Sequence, residues 1–344
     1  MKSVAVIIVT FNSRLQIISC LRSVSAQKYE GNFHIVVVDN ASSDDTISAV
    51  EKDFPEVKII NNKNNGYAGG NNCGIAWAIE QGVEYIVFLN PDMEVDIDWL
   101  DKLVAFAKIN PQAALVQAKV LFYSEKYRVN SIGNPLHLAG FSWSGGFKEL
   151  SSLHLVPKSI PLASGSSFLI RTEVLNKIGW FDEKLFMYHE DVDLSWRARL
   201  AGYEIYLAPE AKAFHKYTFS FGTKKFYYAE RNRLVVLFSN YRLLTLILLI
   251  PFLLFTEVAM LLYAFFTGWL KYKLLSWLGF LVMIPHIIKN RWRLRSIRKI
   301  ADRQILQLMT SRLDFEALSS PFITYLYNPL ARVYLIILRA LIHW

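Results

Sequence analysis

Four short apolar runs punctuate the first quarter of the chain: Val4–Val9, Ile35–Val38, Val57–Ile60 and Tyr85–Leu89. Each is β-branched or aromatic and ends in polar turn residues, the pattern of buried strands. Between them, Arg14–Ala26, Thr46–Asp53 and Asn72–Gln81 carry helix-like patterns, and Ser42-Ser43-Asp44-Asp45 supplies capping oxygens and early acids to the second. Strands alternating with helices at this spacing predict an α/β fold, a mostly parallel sheet with helices on both faces. From about Leu121 to Leu162 the pattern weakens, and glycines among aromatics predict loops and short strands. It resumes at Ser164-Gly165-Ser166-Ser167, a turn feeding a strand that runs to Arg171. A helix is predicted over Asp191–Leu200, stopped by Gly202, then a short strand over Tyr203–Leu207, followed by Pro209 and His215. No internal repeat is evident.

At Leu243 the character changes. Leu243–Leu270 holds one charge, Glu257, and Leu274–Ile288 is a second, shorter apolar run. The first is long enough to cross a bilayer and the second is marginal. Lys271 and Lys273 separate them, while Arg231, Arg233 and Arg242 precede them and six basic residues from Lys289 to Lys299 follow. Basic outer flanks place both ends in the cytoplasm and predict a helical hairpin over about 243–288. A re-entrant or interfacial hairpin, or a hydrophobic helical subdomain, are the alternatives. The tail Leu330–Trp344, with Arg332 and Arg339, predicts an interfacial helix.

Composition sharpens this division. The 344 residues are 53% hydrophobic and carry a net charge of +9. From Arg231 onward there are 15 Lys and Arg against 4 Asp and Glu, so the remainder is close to neutral. The division predicted is a globular domain over 1–235 and a basic, greasy membrane-association region over 236–344. Basic plus greasy points to an anionic membrane surface rather than to nucleic acid. Cys20 and Cys73 have no metal-ligand spacing and read as small buried side chains in a reducing compartment. The apolar run after Met1 is too short for a signal peptide, so the globular part is expected in the cytoplasm.

Ligands of open parallel sheets bind at the carboxyl ends of the strands. Those ends read Thr10-Phe11-Asn12, Asp39-Asn40, Asn61 leading to Asn65-Gly66-Tyr67-Ala68-Gly69-Gly70-Asn71-Asn72, and Asn90-Pro91-Asp92. Turn residues supply one such polar end by default; four at one edge are harder to dismiss. No Gly-x-Gly-x-x-Gly follows the first strand and no Gly-Lys-Ser/Thr loop occurs, which argues against a dinucleotide-binding or P-loop unit. Asp39 is placed to hold a base or ribose, and Gly66, Gly69 and Gly70 permit close approach of backbone to a ligand, or else form a helix-entry loop. Tyr188-His189-Glu190-Asp191-Val192-Asp193-Leu194 crowds three carboxylates into four positions. Such a cluster calls for a cation, a bound proton or a hydrogen-bonding substrate, or else simply caps its helix. Asp193 and Arg197 are spaced i,i+4 for a structural ion pair.

Taken in order, Val9-Thr10-Phe11-Asn12, Val38–Asp44, Asn65–Asn71, Leu89–Asp92 and Tyr188–Leu194 resemble the motifs of family 2 glycosyltransferases with a GT-A fold, and within them the bacterial rhamnosyltransferases of surface-polysaccharide assembly. The resemblance covers about residues 3–235. It implies inverting, metal-dependent transfer from a nucleoside-diphosphate sugar, a dTDP- or UDP-sugar, to a polyprenyl-diphosphate-linked acceptor at the cytoplasmic face of the bacterial plasma membrane. Thr10, Asn12, Asp39, Asn40, Asn65, Gly66, Gly70, Asn71 and Asn90 would then serve the donor nucleotide. Asn90-Pro91-Asp92 stands where the family has Asp-x-Asp, so Asp92 becomes the direct ligand of Mg²⁺ or Mn²⁺, with His215 as a second. Asp191 would be the general base and Glu190 its neighbour at the acceptor. Ser164, Gly165 and Ser166 would form the acceptor-side loop. A helix start should lower the pKa of Asp191. Tyr228–Arg233 would meet diphosphate or lipid headgroups, or is an ordinary membrane-proximal helix. No Gln-x-x-Arg-Trp follows the acidic cluster, so one sugar per encounter is expected rather than processive synthesis. The other classes are a non-catalytic sugar-nucleotide-binding scaffold and a nucleotidyltransferase; the latter needs a Gly-rich basic loop where Thr10-Phe11-Asn12-Ser13 stands.

Overall fold

The computed structural model describes residues 3–216, 223–314 and 320–344. The chain forms two compact units. The first comprises Met1–Asn134, Ser144–Ala198 and Tyr203–Phe219; the second comprises Pro135–Trp143, Arg199–Gly202 and Ser220–Trp344.

The first unit is built on one sheet. Its strands are β1 (Val4–Thr10), β2 (Phe33–Asp39), β3 (Lys58–Asn61), β4 (Tyr85–Leu89), β5 (Met93–Val95), β6 (Ala113–Phe122), β7 (Val129–Ser131), β8 (Lys158–Ser159), β9 (Ser167–Arg171) and β10 (Glu204–His215). The main order is β3-β2-β1-β4-β9-β6-β10-β5, with β7 beside β6 and β8 beside β10. Every residue of β1 and β4 is buried, as expected when layers cover both faces of a sheet. The helices of this unit are α1 (Arg14–Ser25), α2 (Thr46–Asp53), α3 (Gly66–Glu80), α4 (Trp99–Ile109), α5 (Thr172–Ile178) and α6 (Glu190–Leu200).

The predicted α/β class holds, but the sheet is mixed rather than mostly parallel. β1, β2, β3 and β4 pair in parallel, as do β6 and β10, whereas β9 runs antiparallel between β4 and β6. Periodicity carries no strand direction, so this insertion could not be read. β6 was hidden for a different reason. Gln117 and Lys119 interrupt its apolar run, yet both are buried and partnered: Gln117 with Ser164 and Ser131, Lys119 with the His154 carbonyl. α3 starts at Gly66, six residues before the expected start. β10 continues to His215, so that histidine ends a strand rather than following one.

The second unit contains α7 (Thr223–Asn240), α8 (Leu243–Phe266), α9 (Leu270–Val282), α10 (Ile284–Ile297), α11 (Asp302–Leu308) and α12 (Asn328–Leu341). α7 runs through the 235/236 boundary expected from the sequence. The second apolar run is two helices, α9 and α10, bent by 56° at their junction. Lys273 does not lie in a solvated turn. It is fully buried in α9, where its Nζ meets Glu257 at 2.8 Å and also Glu230, while Arg233 pairs with both acids. Two cations thus neutralise two anions inside the helical unit, the arrangement that buried charges require.

Candidate active site

Strand pairing in the first unit brings distant motifs to one edge. β4 ends at Leu89, which pairs with Ser167 of β9, and the next residue, Asn90, donates its N–H to the Ser166 carbonyl at 3.0 Å. The Asn90-Pro91-Asp92 turn therefore abuts Ser164–Ser166. On the other side, β5 pairs with β10, and His215 stands opposite Met93. His215 Nε2 then lies 3.1 Å from Asp92 Oδ2, and its Nδ1 lies 2.9 Å from Asn130 Oδ1. In the tautomer that donates from Nδ1 to Asn130 Oδ1, the lone pair of Nε2 points at a carboxylate. Two acceptors so placed need a cation between or upon them, a proton or a metal ion. Asp92 Oδ1 and Asn90 Oδ1 are buried without a hydrogen-bond partner among the described residues. Among those residues, no group of three or more His, Cys, Asp or Glu could hold a metal ion.

The acidic cluster joins the same edge through Gly165. The Gly165 N–H donates to Asp191 Oδ2 at 2.8 Å, Asn134 Nδ2 reaches the same oxygen at 3.5 Å, and the Val192 N–H donates to Oδ1 at 2.8 Å. The Tyr67 hydroxyl donates to the Gly165 carbonyl at 2.6 Å, so both peptide groups flanking the Gly165 Cα are held. Burial pushes the Asp191 carboxyl above its ordinary range despite these hydrogen bonds. This reverses the lowering expected from the helix start: desolvation outweighs the helix amides. Glu190, more fully buried than Asp191, is pushed well above the usual range by burial and then by the charge of Asp191. Its Oε2 has no partner among the described residues. Asp193 has the scaffolding part expected of it. It accepts from Arg197 Nε at 2.8 Å, and the same guanidinium is spent on the carbonyls of Ile178, Gly179 and Trp180.

The nucleotide-side residues divide. Thr10 is buried at the end of β1, and its Oγ1 has no hydrogen-bond partner among the described residues. Asp39 accepts from the backbone and hydroxyl of Ser42, and Asn12 Oδ1 accepts from Ser43, so these two shape the loop after β2. Asn40 bridges the Gly66 carbonyl and Asn62, and Asn62 also binds Asn65. Asn71 donates to the Tyr67 carbonyl within α3. The glycines serve the protein first. A Cβ on Gly66 would come within 2.2 Å of the Phe186 carbonyl oxygen, at a φ of +81°; one on Gly70 would meet Val9, and one on Gly69 would meet the Asn65 side chain. The Ala68 N–H donates to that Phe186 carbonyl, which fastens the start of α3 to the loop before the acidic cluster. That loop is strained: Phe186, Tyr188 and His189 all have φ near +66°, a region L-residues avoid. Tyr67, Asn130 and Asn134 were missed as site residues. Tyr67 lay inside a recognised motif; the two asparagines carry no sequence signal.

Polar strand ends, a carboxylate–imidazole pair and a buried acid at a helix start thus gather at one edge of an α/β sheet, the edge where ligands of such sheets bind. Residues 5–179 match the model of glycosyl transferase family 2, and the chain belongs to that family. Three curated relatives illustrate it. A low-salt glycan biosynthesis hexosyltransferase, Agl10, of Haloferax volcanii is 27% identical over 57% of this chain and 61% of its own length. The dTDP-rhamnosyl transferase RfbF of Shigella flexneri is 26% identical over 61% and 67%. An N-acetylglucosaminyl-diphospho-decaprenol L-rhamnosyltransferase of Mycobacterium tuberculosis is 27% identical over 55% and 68%. The chain thus spans about two thirds of the length of these relatives, and less than that of the first. The fold is shared with GalNAc-T7, solved with UDP, GalNAc and Mn²⁺ (TM-score 0.56, 15% identity, 69% of this chain and 47% of that one). It is shared also with S. aureus TarS 1–349, solved with UDP-GlcNAc (TM-score 0.52, 18% identity, 98% and 89%).

Proposed function

We propose that this protein transfers a single sugar, with inversion, from a nucleoside-diphosphate sugar to a lipid-linked glycan acceptor in cell-surface polysaccharide assembly. The observation that carries the proposal is the joining of Asp191 and the Asp92–His215 pair to one short loop, Ser164–Ser166. In this reading Asp191 takes the proton of the acceptor hydroxyl as that oxygen attacks the anomeric carbon. The bond from that carbon to the diphosphate oxygen breaks on the opposite face, and its electron pair leaves with the diphosphate. One displacement inverts the centre. The carboxyl raised by burial is a better base than an exposed aspartate, because its proton affinity lies closer to neutral pH. Glu190, beside it, orients the acceptor. Asp92 and His215 would hold a divalent cation, which supplies charge neutralisation to the leaving diphosphate. Imidazole among the donors favours Mn²⁺ over Mg²⁺. Asn90 with Thr10, Asn12, Asp39, Asn40, Asn65, Gly66, Gly70 and Asn71 forms the nucleotide side.

Rhamnose from dTDP-rhamnose is the first donor, supported by the names of the Shigella and Mycobacterium relatives. A UDP-hexose is the second, supported by the UDP and UDP-GlcNAc in structures of the same fold. The diphospho-decaprenol acceptor in the Mycobacterium protein's name supports a polyprenyl-diphosphate acceptor, and with it a cytoplasmic-face membrane location for a GT-A domain over 1–235 and an attached region over 236–344. The test is turnover of a panel of nucleoside-diphosphate sugars with Mg²⁺ and with Mn²⁺. Asp92→Ala should abolish metal-stimulated turnover with every donor; wild-type turnover in Asp92→Ala sinks the metal assignment. Donor binding without any turnover points to the scaffold reading. Asn130→Ala should raise the Mn²⁺ concentration needed for half-activation by about 10–100-fold, the usual cost of losing a hydrogen bond behind a ligand, with turnover recovering at saturating metal. Titration of activity with Mn²⁺ reads this directly.

A further inference from the structure

The second unit exposes a long apolar helix, and the contacts at its two ends restrict how it can lie. α8 has 24 residues, a mean hydropathy of 2.4 over its most apolar stretch, and only a third of that stretch buried. At about 1.5 Å per residue it reaches about 36 Å, enough to cross a bilayer. Yet both of its ends are tied to one polar helix. α7 runs directly into the start of α8, and near that junction Arg291 of α10 donates to the carbonyls of Phe238 and Tyr241 at 2.6 Å. Just past the far end of α8, Trp269 stacks on Phe226 near the start of α7, with ring centroids 4.5 Å apart and 13° between planes. Between these ends, Glu257 of α8 and Lys273 of α9 engage Glu230 and Arg233 in the middle of α7. The end of α7 thus meets the start of α8, and the start of α7 lies near the far end of α8. α7 carries Lys224, Lys225, Glu230, Arg231, Asn232 and Arg233, a composition that does not cross hydrocarbon. If α7 stays in one aqueous or interfacial layer, both ends of α8 stay in it too.

Resting on the membrane-associated part of the proposed function, we infer that α8 lies along an anionic membrane surface instead of spanning the bilayer, and that it is held there with α12 as a one-sided apolar face edged by basic residues. The outward face of α8 is an unbroken stripe: Ile247, Ile250, Leu254, Val258, Leu262 and Phe265, each more than two-fifths exposed. α12 repeats the pattern with Leu330, Val333, Ile337 and Leu341, while Ala331, Leu335 and Leu338 face inward. The two helices are neighbours: Tyr334 of α12 stacks on Phe252 of α8, and Trp344 donates to Thr245 at 3.0 Å. The charge on this unit selects the occupant. Lys289 and Arg293 of α10 and Arg332 of α12 are exposed, and Trp292 is 64% exposed beneath the Arg295 guanidinium. Exposed basic residues and a tryptophan on the unit that carries the apolar stripe complement an anionic headgroup layer. A second copy of this chain would bring like charge against like.

Full-chain protein should bind phosphatidylcholine vesicles containing phosphatidylglycerol in flotation. Leu254→Glu should weaken that binding about tenfold or more. Lys289→Gln should weaken it about fivefold, and only when phosphatidylglycerol is present. Orientation is read in a Cys73→Ser background carrying Arg242→Cys or Thr267→Cys, at the two ends of α8, in sealed inside-out membrane vesicles from an expressing bacterium. An impermeant maleimide should label both without lysis. Labelling of Thr267→Cys only after lysis overturns the inference in favour of a span. A soluble dimer that ignores vesicles overturns it in favour of a second copy. Donor turnover is measured on the same preparations. Turnover retained while Leu254→Glu loses its vesicles isolates the surface, whereas absent turnover in the wild type defeats the transfer reading and leaves the topology result standing.

Discussion

Asp191→Asn should lower transfer by about 10²–10⁴-fold, the range a positioned general base supplies, and leave the protein folded. Both carboxylate oxygens already accept backbone N–H groups, from Gly165 and Val192. An amide offers only one oxygen, so one of these donors loses its partner, at a cost of about 1–3 kcal/mol. Against this, the variant no longer buries a carboxylate, which recovers part of that cost. Kinetics with the true donor and a denaturant titration together separate the two effects. The same site fixes a pH signature. Asp191 and Glu190 are both raised in the folded protein, chiefly by burial. A base must be deprotonated, so kcat/KM should fall with decreasing pH through a limb above the ordinary carboxylate range of about 4. Stability runs the other way. The folded pair holds protons that the unfolded chain has released, so its contribution is fully present below about pH 4 and is lost as pH rises through the raised values. Glu190→Gln should flatten that loss; an unchanged slope of stability against pH would show that the pair does not titrate as described.

The second large effect is on stability. Lys273→Met should destabilise the protein by about 3–5 kcal/mol, because it leaves Glu230 and Glu257 sharing one cation in a buried site. Their carboxylates are held below the ordinary range only because Arg233 and Lys273 overcome the cost of burying them. The companion Lys273→Met/Glu257→Leu double variant removes one charge of each sign and keeps the Arg233–Glu230 pair. It should be more stable than Lys273→Met alone. A double-mutant cycle that shows simple additivity would mean that the four groups do not act together.

Some of this was legible in the sequence and some was not, for identifiable reasons. Tyr85–Leu89 and Thr46–Asp53 read to the residue, and Val4–Thr10 to within one, because their patterns are unbroken. The start of α3 did not read as helix because Gly66, Gly69 and Gly70 have poor intrinsic propensity. Close packing against Phe186, Asn65 and Val9 overrides that preference. Lys273 read as a loop charge because two partners more than 15 residues away in sequence are invisible to local pattern. In the site, the polar strand ends and the acidic cluster were visible as motifs. Their joining through Gly165 was not, because it depends on an antiparallel strand whose direction leaves no trace in periodicity. The direction of the Asp191 shift failed for a related reason: a helix start is a local feature, whereas burial is a property of the assembled unit.

The contact between Gly66 and the Phe186 carbonyl bears on how loop segments can be exchanged between relatives. The segment from Asn62 to Asn72 and the segment from Phe181 to Asp191 are interlocked. The second is anchored again where Asn72 grips the Phe181 backbone and Glu183. Neither is a cassette by itself. A graft of the first segment alone brings in a foreign backbone path against a turn that has no slack. The workable unit of recombination is the pair, transplanted together with the strained turn that locks them.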